Sequence, residues 1–343
     1  MIEAPLTLIF AIIGIALVFD FTNGFHDSAN SISTVVSTKV LSPRNAVIFA
    51  AFFNFIAAFS FGVAVASTVS KIIHLDVVPT VVVPYIILGA LIGAISWNLI
   101  TWFFGLPTSS SHALIGGLTG AGISAAGLIA IKWETVQLVA AFMILSPLIG
   151  LACGFLFMAA VLWLTRAVNK PTAEESFKSL QLVSAAANCF SHGTNDAQKT
   201  IGIIIPLLFS IGYFSEAADP NNLPIPFWVI MLAYIAIALG TLAGGWRIVK
   251  TMGYKITKLR PVHGFAANTA SAATIIGASV VGIPVSTTHV ICTSIMGVGS
   301  TMGISTVKWG VARTIMWAWI LTIPISAFIS FIAFMGIRVV IGY

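Results

Sequence analysis

The chain has 343 residues, of which 58% are hydrophobic and 8% charged, and its mean hydropathy is +1.04. Soluble domains carry about 25% charged residues, so a soluble enzyme or regulatory domain is excluded and an all-α polytopic membrane protein is expected. The net charge of +6 does not mark a nucleic-acid binder, because the bases gather at the ends of apolar runs, where membrane topology places them.

Apolar stretches long enough to cross a bilayer, about 20 residues or more, run over roughly 5–36, 45–70, 79–103, 106–131 and 133–165. A second set runs over roughly 179–211, 225–248, 261–282, 284–307 and 309–341. The first follows Glu3 without the basic start of a signal peptide, so it reads as a membrane segment. The hydrophilic stretch 169–178 reads as a short cytoplasmic linker between a repeat over 1–168 and a repeat over 179–343. Cys153, Cys189 and Cys292 lie inside apolar runs without paired spacing, which argues against disulfides or a Cys-based metal site. No cofactor is expected.

Two polar words each occur once per half. Asn23-Gly24-Phe25-His26-Asp27-Ser28-Ala29-Asn30 returns as His192-Gly193-Thr194-Asn195-Asp196-Ala197-Gln198-Lys199. Pro107-Thr108-Ser109-Ser110-Ser111-His112 returns as Pro284-Val285-Ser286-Thr287-Thr288-His289, and Lys132-Trp133 returns as Lys308-Trp309. The loop after the first word holds Lys39 and Arg44, whereas its counterpart holds Glu216 and Asp219. One span later the pattern reverses. Lys71, His74 and Asp76 face a second-half loop with Arg247, Lys250, Lys255, Lys258 and Arg260. Basic loops face the cytoplasm, so equivalent loops lie on opposite sides. The expectation is two inverted-topology repeats with both termini extracytoplasmic, broken helices, and re-entrant half-helices meeting at a central site.

A carboxylate at membrane depth costs about 2.5–3.5 kcal/mol on insertion scales and is functional by default. Asn23, Asp27, Asn30, Asn195 and Asp196 are therefore the expected cation-coupling residues. Gly193 can open the backbone to free carbonyl ligands, and the competing reading is a capping cluster at the interface. The coupling ion is H+ or Na+, and if it is Na+ the metal ligands are Asp27, Asn30 and Asp196. Lys199 stands where the first half has Asn30. It either pairs with Asp196 or the substrate, or snorkels to the surface. His192 and Asp196 stand four apart, which without a third ligand reads as a hydrogen-bonded pair rather than a metal site. Asp20 belongs either to this constellation or to an interfacial helix cap.

Proline and Ser/Thr are helix-start signals, so each second word opens a half-helix whose free N–H groups suit an anion. Thr108, Ser109, Ser110, Ser111, Ser286, Thr287 and Thr288 are the expected ligands of a tetrahedral oxyanion, phosphate or sulfate. His112 and His289 either orient these hydroxyls, carry protons, or sit satisfied in the core. The glycines after each word, Gly116, Gly117, Gly120 and Gly122 and then Gly297, Gly299 and Gly303, read as close packing. Trp97, Trp133, Trp246 and Trp309 read as interfacial anchors. A remote alternative is an intramembrane serine hydrolase using Ser111 and His112, against which stand the threonine in the second copy and the lack of a GxSxG elbow. An anion channel is a further alternative, but it has no need of paired buried aspartates.

Gly24 to Asn30, Gly193 to Lys199, the paired Pro-Ser/Thr-His words and Trp97-Asn98-Leu99-Ile100-Thr101-Trp102 resemble the inorganic phosphate transporter family. The resemblance covers essentially the whole chain. It implies a symporter in the cell membrane that imports inorganic phosphate with a cation by alternating access, with phosphate on the Ser/Thr words and the cation on the Asp/Asn words. It also implies a homodimer. His26 and Gln198-Lys199 depart from the sodium-driven pattern and look like bacterial low-affinity permeases, which implies H+ rather than Na+ and phosphate carried as a metal complex. Sulfate import remains the alternative within the same fold.

Overall fold

The computed structural model describes residues 5–214 and 223–342, apart from 61 and 63. Glu3, Glu216 and Asp219, used above for the N-terminus and the loop charges, lie outside the described residues. Ordered structure among the described residues is helical, save for an isolated bridge between Ile73 and Ile131.

The first half holds α1 (Leu6–Ser37), α2 (Pro43–Ile56), α3 (Ala64–Ser70), α4 (Val83–Phe104), α5 (Ser110–Ala126) and α6 (Trp133–Leu164). The second holds α7 (Lys170–Ser210), α8 (Phe227–Ala243), α9 (Trp246–Lys250), α10 (Pro261–Val280), α11 (Thr287–Ser300) and α12 (Trp309–Ile341). A π-helical turn, Thr251–Lys255, extends α9. By length and composition α1, the 80–104 segment containing α4, α6 and α12 can cross a membrane. The pairs α2–α3 and α8–α9 are bent by 84° and 59° at short breaks, as in a broken span or a re-entrant loop. At 1.5 Å per residue α11 is only about 21 Å long, short of a hydrocarbon core of roughly 30 Å. It is a half-helix.

Corresponding helices choose corresponding partners from the other half. α1 packs on α8, and α7 packs on α2 and α3. α5 packs on α12, and α11 packs on α6. Small joints repeat as well. Lys132 N donates to Ile72 O at 3.0 Å and Lys308 N to Ile256 O at 2.9 Å. Trp133 Nε1 donates to Leu128 O, and Trp309 Nε1 donates to Ile304 O. α6 and α12 each carry an internal proline, Pro147 and Pro324.

Three expectations change. Both Asp/Asn words lie inside unbroken helices, because α1 and α7 continue straight through them. Their glycines serve close approach instead of unwinding. A Cβ on Gly193 would stand 2.6 Å from Asn54 O of α2, and one on Gly24 would stand 3.0 Å from the Ile237 carbonyl carbon of α8. The stretch 169–178 is not a loop but the first turns of α7, with a proline in its first turn, where no N–H partner is lost. Trp97 is buried, and its indole N–H donates to Thr322 at 3.0 Å, so it pins α4 to α12 and is no interfacial anchor. Trp133, Trp246 and Trp309 are exposed as expected.

The glycine-rich starts of the half-helices do pack closely. A Cβ on Gly116 would lie 2.6 Å from Ile323 O of α12, and one on Gly117 would lie 2.6 Å from Ala90 O of α4. Gly150 of α6 answers from the other half, 2.6 Å from Thr293 Oγ1 and 2.8 Å from Val290 O of α11 by the same measure. Gly150→Val is expected to cost about 1–3 kcal/mol through overpacking, seen as a lowered unfolding temperature in detergent. Gly336→Ala, whose Cβ meets nothing within 4 Å, is expected to show no loss. Equal behaviour of the two variants would refute this packing.

Candidate functional site

The starts of α5 and α11 meet. Ser109 and Ser286 are their N-caps, accepting from His112 N at 3.3 Å and His289 N at 3.1 Å. Pro107 and Pro284 stand two residues before the caps rather than at the first helical position. They hold the approaching chain extended, since proline fixes its own φ and biases its predecessor away from α. The rings of His112 and His289 meet edge-on at 4.8 Å between centroids, and His289 stacks on Trp319 at 3.9 Å. With the Ser109 and Ser286 oxygens capping, Ser110, Ser111, Thr287 and Thr288 are the hydroxyls turned to the junction. Thr108 points elsewhere, to Thr101 at 2.9 Å and His26 at 3.4 Å.

The unbroken helices α1 and α7 cross this junction and bring the two carboxylates to it. Asp27 Oδ1 lies 2.7 Å from His26 Nδ1, and Ser110 Oγ donates to Asp27 Oδ2 at 3.3 Å. In the other half Thr287 Oγ1 donates to Asp196 Oδ2 at 3.1 Å. Each carboxylate thus takes a hydroxyl from its own half. The last residues of the words cross over. Asn30 Nδ2 donates to Thr288 Oγ1 at 2.9 Å, and the Lys199 ammonium donates to Ser111 Oγ. Ser111 and Thr288 occupy equivalent positions, so the Asp/Asn word of each half is tied to the Ser/Thr word of the other.

Lys199 also binds Asp196 Oδ1 and reaches Val285 O at 3.4 Å. It is 1% exposed, so it does not snorkel. An ammonium and the positive ends of two helix dipoles therefore converge, with Asp196 and Asp27 as the neighbouring negative charges. The arrangement gathers positive charge and hydroxyl groups at one place closed from solvent. Asp27, His192, Asp196 and Lys199 are each at most 2% exposed.

His192 gains the partner that the linear sequence could not show. Its Nε2 lies 3.1 Å from Asp196 Oδ2 and 4.0 Å from Asp27 Oδ2. One ligand atom from each of Asp27, His192 and Asp196 falls within 4.8 Å of the others. The expected pair of His192 and Asp196 is present, and Asp27 stands beside it as a candidate third ligand. A His-plus-two-carboxylate set suits a divalent transition metal better than Na+.

Other expected residues scatter. Asn23 accepts from Ser110 and so positions that hydroxyl. Asn195 turns to Ser279 of α10 at 2.9 Å. Asn54 and Asn188 emerge only from the fold, which also shows what Gln198 binds. Asn54 joins Thr241 at 2.9 Å, Asn188 donates to Asn30 O at 3.0 Å, and Gln198 Oε1 accepts from Val65 N and Ala66 N at the start of α3. A lone Asn in an apolar run, as in Phe53-Asn54-Phe55, is a signal that points to such residues.

The description Phosphate transporter family matches residues 23–173 and 165–330. The chain belongs to the phosphate transporter family. It is 50% identical, over 94% of both chains, to a protein of Rhizobium meliloti named "Probable low-affinity inorganic phosphate transporter". It is 44% identical to a protein of the same name from Bacillus subtilis, over 96% of this chain and 97% of that one. Among solved structures it is similar to "The sodium-dependent phosphate transporter", with a TM-score of 0.86 and 26% identity over 97% of this chain and 99% of that one. These relatives are transporters, and the family fits a multi-pass membrane protein. The hydrolase alternative also loses its geometry, because Ser111 Oγ is held by Lys199 and the His112 ring faces His289.

Lys199→Met leaves Asp196 short of its cation, and breaking one side of a buried pair typically costs about 3–5 kcal/mol. Thermal unfolding in detergent is expected to show that loss, and Lys199→Met with Asp196→Asn is expected to recover most of it. No recovery in the double variant would mean that the two charges do not compensate each other.

Proposed function

We propose that the chain is a secondary active symporter that imports inorganic phosphate with a cation, H+ in preference to Na+, by alternating access of one central site. Phosphate binds between the starts of α5 and α11, held by Ser110, Ser111, Thr287, Thr288 and Lys199. The observation that carries this reading is the crossed pair of contacts, Lys199 to Ser111 and Asn30 to Thr288. With the hydroxyls and the carboxylates side by side, an anion on the one changes the energy of a cation on the other, as coupling requires.

Lys199 supports the preference for H+. Its ammonium stands at the position that Asn30 holds in the first word and engages Asp196, so the set of amides that would ligate Na+ is one short. Arrival of phosphate offers Lys199 a competing anion, which releases Asp196 to take a cation. The Asp27, His192 and Asp196 set further supports phosphate travelling as a divalent metal complex, the metal being cargo. The sodium dependence in the name of the structural relative belongs to that protein, and Na+ coupling is the competing reading.

The exchanged helix partners support an inverted duplication of 1–168 and 179–343 with both termini extracytoplasmic. In that arrangement rocking of one half-derived bundle against the other opens the site to alternate sides.

Proteoliposomes test each part. An imposed inward H+ gradient is expected to accumulate labelled phosphate, and an Na+ gradient at equal pH is not; the reverse result removes proton coupling and leaves the substrate standing. Asp27→Asn and Asp196→Asn are expected to reduce uptake to that of empty vesicles while still folding, and wild-type uptake in either would sink the roles given to them. Labelled Mn2+ is expected to enter with phosphate in the wild type and not in His192→Ala.

A further inference from the structure

α1 carries another aspartate at membrane depth. Asp20 is fully buried, and α1 is continuous from Leu6 to Ser37, so Asp20 sits mid-helix and caps nothing. It precedes Asn23 by three residues and Asp27 by seven, which puts all three on one helix face, with Asp20 about 10 Å along the axis from Asp27. Neither carboxylate oxygen closes a hydrogen bond. The side chains beside it are Asn23 and Thr200, and the Asn23 amide nitrogen and Thr200 hydroxyl also lack partners.

The charges that face Asp20 are Asp196 and Lys199 of α7, and the Tyr234 phenol approaches from α8. α4 and α8, which also pack on α1, contain no Asp, Glu, Lys, Arg or His. The Lys199 ammonium is already engaged by Asp196 and Ser111. A carboxylate in this position has two stable conditions, paired with a cation or protonated. One carboxylate and one hydroxyl are too few oxygens for a metal ion, whereas a single proton neutralises the group. The equivalent position in the second word, seven before Asp196, is Cys189, so only the first half has this acid.

We propose that Asp20 carries the co-transported proton. On the side of uptake, hydronium gives its proton to a carboxylate oxygen, forming an O–H bond and leaving water, and Thr200 Oγ accepts a hydrogen bond from the acid. On the opposite side the same O–H bond breaks and the proton passes to water. Protonation removes a negative charge near the anion seat as phosphate arrives, which couples the two loads. This assignment rests on the proton-coupled reading above.

The test uses the full chain in liposomes, with two readouts: phosphate exchange at equal concentration and pH, and accumulation under a pH gradient. Asp20→Asn, a fixed mimic of the neutral acid, is expected to keep exchange and lose accumulation, and Asp20→Glu is expected to keep both. Accumulation by Asp20→Asn at the wild-type level, with the wild type pH-driven, overturns the assignment alone. A wild type that ignores the pH gradient and follows Na+ overturns the proton-coupled reading and this inference with it. Should Asp20→Asn lose exchange too, Asp20→Glu decides: gradient-driven uptake supports the carboxyl as carrier, and its loss rejects it.

Discussion

The buried pair of Lys199 and Asp196 is the constraint on which the centre of this protein depends. Both groups are withdrawn from water inside one long helix, α7, and each is costly there without the other. Their contact brings the ammonium to the junction of two half-helix starts, where partial positive charge already gathers. Asp27, arriving on α1, restores the balance from the other side. The three charges and the hydroxyls of Ser110, Ser111, Thr287 and Thr288 are joined in one polar cluster at that junction.

Such a site needs stiff walls. The Asp/Asn words ride on unbroken helices, and interruption is confined to the half-helices α5 and α11 and to the bends after α2 and α8. Glycine enforces the arrangement. At Gly24 and Gly193 the neighbouring helix backbone takes the space of a side chain, so the carboxylates three residues on are held close to their partners. Backbone packing of this kind is the main cohesive force between helices when lipid is as apolar as the interface.

The chemistry resides where the duplication is imperfect. Pairing of hydroxyl with carboxylate, Ser110 with Asp27 and Thr287 with Asp196, is the same in both halves. The differences are Asn30 against Lys199, Asn23 against His192, His26 against Asn195 and Asp20 against Cys189. A perfect repeat would set the same polar groups on both sides of the junction. The substitutions instead supply a fixed ammonium, an imidazole between two carboxylates and one further acid.

The sequence by itself determined the membrane class, the duplication, the two half-helix starts and the residue types at the centre, because each rests on signals local to the chain: hydropathy, helix caps and the echo of short words. Caps are i to i+3 contacts, so Ser109 and Ser286 were legible as helix starts without any fold. What the local words could not convey was which oxygens remained free after capping, that Asn195 turns to α10, that Trp97 is inside, and that α1 and α7 stay whole. Nor could they show that Asp27 comes within reach of His192 and Asp196, or that Asp20 is buried without a hydrogen bond to its carboxylate. Those facts follow from the angles and separations at which helices far apart in the chain pack, and only the tertiary structure sets them.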